Sequence, residues 1–491
     1  MKDLKRRAFL RQVLNGAMGS ALLSYLPNVS FAQNSSKKFL LRIHMGSWCG
    51  WSSGLLQPRD VGDYPTGCFF KGQDVGALNP NLNKHFKTGN LVFNDYSKCL
   101  ERISDHLCFA VGNSRSVSHD VARLYQNTGD RKVGANANPA WAVGVAQASK
   151  ENRDVTFVVK GNGGRELIQT GRTTPNVATL NAETMTEVKE NFSDDALIRD
   201  IQNKEVFTQL NSDNILSFSS ETSPLSSSAK GPLNNSMKSV SRGIENIDSL
   251  QQEISSAISL EKVLELTNAM DDNLYDDDNN PEEGVSERLE SQYTDLIEQL
   301  QTAALLIEGD IASGMSISLD GQDFHRGNAE SITARSGGCV WAAITRFWEW
   351  VVSKGYQDQV MICASHEFSR TPYNGSRQAK QTIYFKNDDG QATSVEIENP
   401  GRDHHISFGM VFINGKVPAK GRIGGIADGY VPAGSEGPDG VVKSDIPAYS
   451  STQLVGSMFM RCWSDIFPNY RAVRDIFPNF VENQQIGWLL K

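Results

Sequence analysis

Histidines set beside carboxylates in the C-terminal half are the residues of this chain best suited to chemistry. There are eight histidines, with none between His119 and His325, and His325, His366, His404 and His405 then fall in polar, turn-like stretches. Three stretches place imidazole next to carboxylate. In Asp320-Gly321-Gln322-Asp323-Phe324-His325, Asp323 and His325 are two residues apart, which in an extended segment turns both side chains to one face. Ser365-His366-Glu367 runs on into Phe368-Ser369-Arg370-Thr371-Pro372, and Gly401-Arg402-Asp403-His404-His405 is the third. Imidazole combined with carboxylate suits zinc, manganese or iron, whereas an all-oxygen set suits calcium or magnesium. A divalent ion held in this way polarises a phosphoryl-like oxygen and lowers the pKa of a bound water or hydroxyl. Arg370 and Arg402 have the planar, two-pronged geometry that clamps anions. Each pair taken singly also reads as ordinary loop hydrogen bonding. Together they nominate Asp323, His325, His366, Glu367, Asp403 and His404 as metal ligands, with Arg370 beside them.

A second candidate lies upstream. Asn113-Ser114-Arg115-Ser116-Val117-Ser118-His119-Asp120 follows an apolar run and opens a helical pattern. A serine hydroxyl at a helix N-terminus sits in a field that favours an anionic ligand, so Ser118 is a nucleophile candidate given a base or metal to activate it. Serine at a helix start is also the usual N-cap, and the two roles are compatible.

Positioning such residues needs a sheet. Short apolar runs at Phe39–Met45, His106–Val111, Val155–Lys160, Gln359–Ala364 and Phe408–Ile413 read as buried strands. Helical patterns at Ser118–Asn127, Pro139–Lys150 and Cys339–Lys354 alternate with them. This alternation predicts an α/β fold with a mainly parallel sheet and helices on both faces. In such sheets, sites form beyond the carboxyl ends of the strands, where the His366-Glu367 segment would lie.

The middle of the chain departs from this pattern. Residues 211–235 are rich in Ser, Asn and Pro and read as a flexible connection. Ile244, Ile247, Leu250, Ile254 and Ile258 then keep helical spacing, and a second helix is predicted from Ser286 to Glu308. The segment 211–308 is thus a linker and helical hairpin, inserted in the sheet domain or packed on it. Between its helices, Asp271, Asp272, Asp276, Asp277 and Asp278 lack the ligand order and central glycine of an EF-hand, and read as a solvated loop rather than a calcium site. Residues 415–449 are dense in Gly, Pro and Asp, as expected of ordered loop and short strands.

Residues 1–32 read as a targeting segment. Lys5-Arg6-Arg7 is a twin-arginine n-region, an interrupted apolar stretch runs from Val13 to Leu26, and Ser30-Phe31-Ala32 puts small residues at −3 and −1 before Gln33. The stretch is too short to span a bilayer, and no transmembrane segment is expected in the mature chain of residues 33–491. A Tat signal implies export of the folded protein by the Tat translocase to the periplasm or beyond. The net charge of −9 leaves no basic excess to neutralise a phosphate backbone, which argues against nucleic acid as a partner. The seven cysteines form no CxxC pair, so a zinc ribbon is not expected. Cys49–Cys68 and Cys99–Cys108 are the nearest pairs for a disulfide, while Cys108 and Cys363 sit in apolar runs as buried small hydrophobes.

With these segments in view, the chain resembles the domain-of-unknown-function family numbered 1501, Tat-exported bacterial proteins of the alkaline phosphatase and sulfatase superfamily. The resemblance runs in order over nearly the whole mature chain. It rests on Gly46-Ser47-Trp48-Cys49-Gly50, Ser118-His119-Asp120 with Thr128-Gly129, Trp141, Leu306-Ile307-Glu308-Gly309 leading to Gly321-Gln322-Asp323-Phe324-His325, His366-Glu367-Phe368-Ser369-Arg370-Thr371-Pro372, Gly401-Arg402-Asp403-His404, and Gly421-Arg422-Ile423-Gly424-Gly425. It implies an alkaline-phosphatase-like sheet with a two-metal esterase heritage. Asp323, His325, Glu367 and His404 would then be ligands, Ser118 the nucleophile, and a small anionic phosphate or sulfate ester the substrate. The chain departs from the family pattern at Cys49, where an aspartate ligand stands, and at His366 and Ser369, where serine and glycine stand. The retained Asp and His segments favour a hydrolase. Cys49 favours the alternative, a catalytically degenerate envelope or surface protein that binds a partner or glycan.

Overall fold

A computed structural model of the chain describes residues 37–46, 85–94, 96–131, 137–149, 155–160, 178–191, 247–267, 285–319, 329–370, 378–386, 392–400, 404–427, 431–439, 441–480 and 484–490. The signal segment, the 211–235 connection, the acidic 271–278 cluster, Cys49, Cys68, Asp323, His325, Arg402 and Asp403 lie outside these residues.

The centre is an eight-stranded sheet. In chain order its strands are β1 (Phe39–His44), β2 (Leu107–Asn113), β3 (Val155–Lys160), β4 (Ala178–Asn181), β5 (Gly314–Ser318), β6 (Val360–Ser365), β7 (Ser407–Ile413) and β8 (Gly421–Ile423). Across the sheet they run β8-β2-β7-β6-β1-β5-β3-β4. Every neighbouring pair is parallel except those made by β7, which runs against both β2 and β6. The expectation of a mixed α/β protein with a mostly parallel sheet therefore holds, and all five strands read from apolar runs belong to it. β5 was not foreseen. Its sequence, Gly-Met-Ser-Ile-Ser, alternates small polar with apolar residues instead of forming a continuous apolar run. Gly314 is required there because a Cβ would stand 2.1 Å from the carbonyl oxygen of Ala142.

Helices cover both faces. Helices α1 (His119–Thr128), α2 (Trp141–Ala148), α3 (Met185–Asn191), α4 (Ile247–Ala257), α5 (Leu260–Leu264), α6 (Val285–Glu308), α7 (Ala329–Ser353), α8 (Ser451–Cys462) and α9 (Tyr470–Ile476) follow in chain order. On one face Leu41, Ile43, Val111, Ile317 and Ile362 pack with Leu250 and Ile254 of α4, Leu296 and Leu300 of α6, and Ile344 and Trp348 of α7. The predicted helical hairpin thus contributes to the same core as the strands. On the other face Leu40, Ala110, Met361, Cys363 and Met410 pack with Trp141 of α2, Leu454 and Phe459 of α8, and Val473 of α9. Residues 415–449 hold β8 and a three-stranded sheet of Gly425–Ala427, Val431–Ser435 and Val442–Pro447.

One disulfide expectation is overturned. Cys99 and Cys108 are both free thiols. They belong to the cores on opposite faces of the sheet, with β2 between them, so their nearness in sequence does not bring the sulfurs together. Cys108 and Cys363 are buried as expected, and burial pushes the Cys363 thiol up to about 11.

Candidate functional site

The face of the sheet that packs against α2 and α8 changes character toward its carboxyl edge. On β1, Leu40 is followed on the same face by Arg42 and His44, and all three are buried. His44 is in register with Ser318 of β5 on one side and Ser365 of β6 on the other. Arg42 donates from Nη1 to the carbonyls of Ile43 (2.7 Å) and Cys363 (2.8 Å), and from Nη2 to Ser365 Oγ (2.6 Å) and the Gln126 carbonyl (3.4 Å). All four acceptors are neutral, so none of these bonds cancels its charge. An apolar layer has given way to a buried polar row.

The chain then turns to bring Glu367 over this edge. Gly46 takes a left-handed φ of 59°, its N–H reaches His44 Nδ1 (3.2 Å), and its carbonyl accepts the Glu367 N–H (3.0 Å). The Glu367 side chain is fully buried. Its Oε1 lies 2.5 Å from His119 Nδ1, and its Oε2 is 3.6 Å from Arg123 Nε one helical turn later on α1. A carboxylate only accepts hydrogen bonds, so His119 donates from Nδ1, and in the neutral ring Nε2 is the lone-pair nitrogen.

His404 is positioned from a different direction. His404–His405 pairs antiparallel with Ser369–Arg370, which sets His404 opposite Arg370. His404 Nδ1 donates to the carbonyl of Val117 at 2.7 Å, which again leaves Nε2 as the lone-pair nitrogen. The His119 and His404 rings meet edge to face with centroids 4.5 Å apart, and Phe368 packs against both. The loop before α1 is fastened to the same strand: Ser114 donates from its backbone N–H (2.7 Å) and its hydroxyl (2.9 Å) to the carbonyl of Ile406. Arg115 holds φ at 57° within this loop, a conformation unusual for a residue with a side chain, and the Asn113 side chain accepts its N–H at 2.7 Å.

Ser118 stands at the N-cap position of α1, exposed, and its hydroxyl makes no capping hydrogen bond. The capping role open to it in the sequence is therefore not used. His119 follows it in the chain, and His404 is anchored on the residue before it.

The nominated residues fare differently. Glu367 and His404 meet through His119, Ser118 stands beside them as the residue preceding His119, and Arg370 is at the register position opposite His404. His366 is buried, and both its ring nitrogens engage backbone: Nδ1 donates to the Phe368 carbonyl (2.6 Å) and Nε2 accepts the Gly409 N–H (2.9 Å). The ring thereby ties the loop leaving β6 to β7. Asp323, His325 and Asp403 lie outside the described residues, although the described chain reaches Leu319 at this edge, where its N–H bonds the His44 carbonyl at 2.8 Å. His119, Arg123, Arg42 and His44 were not nominated from the sequence. His119 stood inside the Ser118 motif. Arg42 and His44 showed only as polar interruptions of a strand.

The donor chemistry bears on a metal ion. Imidazoles that bind metals commonly donate their second nitrogen to a carboxylate or carbonyl, as His119 and His404 do here. Among the described residues no three His, Cys, Asp or Glu side chains gather closely enough to hold an ion. Two imidazoles of the right kind are present among the described residues. Among the described residues no helix is long and apolar enough to cross a membrane.

Compared with models of protein families and with curated protein sequences, the chain matches none.

Proposed function

We propose that the protein is a Tat-exported, metal-dependent hydrolase of small phosphate or sulfate esters, built on an alkaline-phosphatase-like sheet and working in the periplasm or outside the cell. One observation carries this reading. Ser118, with an uncapped and exposed hydroxyl, is bracketed by His119 and His404, whose rings touch and whose Nδ1 atoms are held by Glu367 and Val117. A divalent zinc, manganese or iron ion would be held by Nε2 of these imidazoles together with Asp323, His325 and Asp403, and when bound it supplies Lewis acidity at the ester oxygen. The chain's own residues do the rest. Ser118 attacks the phosphorus or sulfur, the bond to the alcohol oxygen breaks, the serine proton ends on the departing alcohol, and water then frees the serine, while Glu367 fixes the tautomer of His119. Arg370, opposite His404, clamps the anionic group.

A second reading, a surface protein that binds a partner or glycan without catalysis, draws support from His366, whose ring nitrogens both serve the backbone. Turnover of aryl phosphates and aryl sulfates by the exported protein separates the two. Hydrolysis that falls at least a hundredfold in Ser118→Ala supports the enzyme. Absence of turnover with both ester classes, at any added divalent metal, overturns it. Export is tested by replacing Arg6 and Arg7 with lysine, which should leave the chain in the cytoplasm.

A further inference from the structure

Two exposed apolar side chains border the candidate nucleophile. Among the described residues six large apolar side chains are exposed, and two of the six are Val117, at 41%, and Ile406, at 39%. Val117 directly precedes Ser118, and Ile406 is two residues beyond His404. Their backbone is fixed by hydrogen bonds. Ser114 donates to the Ile406 carbonyl from its N–H (2.7 Å) and its hydroxyl (2.9 Å), and His404 Nδ1 donates to the Val117 carbonyl at 2.7 Å. Residues 114–117 therefore run alongside 404–406 in the opposite direction. The Ser116 hydroxyl accepts the Ser118 N–H at 3.1 Å, which holds the end of this seam.

A single exposed valine or isoleucine is ordinary. Two on one seam, with Ser118 at its end, give that seam an apolar border. Both are β-branched and stand on hydrogen-bonded backbone, so few rotamers remain to be frozen when something packs on them. A serine that attacks an ester meets two parts of it, the acid group and the alcohol. A phosphoryl or sulfuryl group is an oxyanion and gains nothing from apolar contact, so the border suits the alcohol. An alkyl or aryl group removes apolar surface from water there. A polyol would give up hydration of its hydroxyls to side chains that offer no hydrogen bond.

We propose that Val117 and Ile406 seat the alcohol portion of the ester, so that the substrate is a phosphate or sulfate monoester of an apolar alcohol and not of a polyol or sugar. The seat rests on the hydrolase reading for its occupant, and its test separates the two. The measurement is kcat/KM of the purified wild type, Val117→Ser and Ile406→Ser for hexyl phosphate and glycerol phosphate, and for the two corresponding sulfates, with divalent metal supplied and circular dichroism confirming each fold. Both alcohols leave as primary alkoxides, so the ratio between them reports the seat and not the leaving group. The wild type should favour the hexyl ester about tenfold or more, and each serine variant should lose most of that ratio, while Val117→Ile and Ile406→Val keep it. Should one serine variant fail to fold, the other decides. No hexyl preference in the wild type, or an unchanged ratio in either folded serine variant, overturns the seat and leaves the hydrolase standing. Absence of turnover with every ester sinks the hydrolase instead, and calorimetric titration of hexyl phosphate and glycerol phosphate then decides the seat. Tighter binding of the hexyl ester that is lost in the serine variants supports it; equal binding, or none, overturns it.

Discussion

His119 Nδ1 lies 2.5 Å from Oε1 of Glu367, a contact spanning 248 residues that ties the first turn of α1 to the loop leaving β6. The carboxylate is fully buried and faces Arg123 with its other oxygen. The contact fixes the His119 ring, and through it the imidazole pair. Glu367→Ala removes the charge partner of a largely buried Arg123 and should lower stability by about 3 kcal/mol, read as a drop in the urea midpoint. Glu367→Gln keeps the volume, so it should cost less stability while lowering activity or metal affinity roughly 10- to 100-fold. Equal stability and activity in both variants would contradict this role.

Arg42 is a guanidinium inside a sheet face, and its four hydrogen bonds join β1, β6 and α1. Arg42→Ala opens a cavity and orphans carbonyls, so unfolding free energy should fall by about 3–5 kcal/mol. Arg42→Met retains packing and should cost clearly less. Denaturant titration of the three proteins gives the ordering.

His44 links stability to pH. Burial first, and then Arg42, Arg123 and His366, push its pKa well below 6.5. Between that lowered value and 6.5 the unfolded chain binds a proton that the folded one does not. The stability from a neutral His44 is therefore fully present above pH 6.5 and is lost as pH falls below it, by at most about 1.4 kcal/mol per pH unit. Unfolding curves from pH 7.5 to 5 should show a shallower decline for His44→Asn than for the wild type. Parallel declines would refute the assignment.

The described cysteines should be chemically silent. Cys99, Cys108, Cys339, Cys363 and Cys462 are buried thiols. Burial pushes Cys99 and Cys462 up to about 12, and Cys108 also upward. A thiol reagent at pH 8 should leave these five unlabelled in the native protein and label all of them after unfolding, as mapped by peptide mass. Native labelling of Cys363, or a Cys99–Cys108 disulfide, would contradict the structure.

Much of the fold was legible because a parallel sheet buries its strands on both faces, and Leu107 and Val360 each open a run that is apolar at nearly every position. β5 escaped for the converse reason: Ser316 and Ser318 break the run, and their burial follows from pairing with β1, some 270 residues away by register. The polar row had the same obstacle. Arg42 and His44 look like surface interruptions until register sets them beside Ser316, Ser318 and Ser365. At the site, the sequence brought Glu367, His404 and Ser118 forward because each sits in a polar turn next to an apolar run. His119 was overlooked beside Ser118, since only the fold supplies its partner, Glu367. His366 looked like a ligand by type, and local backbone contacts, invisible to spacing, engage both its nitrogens.

Metal analysis of the purified protein, beside its His119→Ala/His404→Ala double variant, tests the central claim most directly. The account expects stoichiometric zinc, manganese or iron in the wild type and its loss in a double variant that remains folded by circular dichroism. A wild type that binds none of these metals when they are supplied, or a double variant that keeps its full complement, would contradict it.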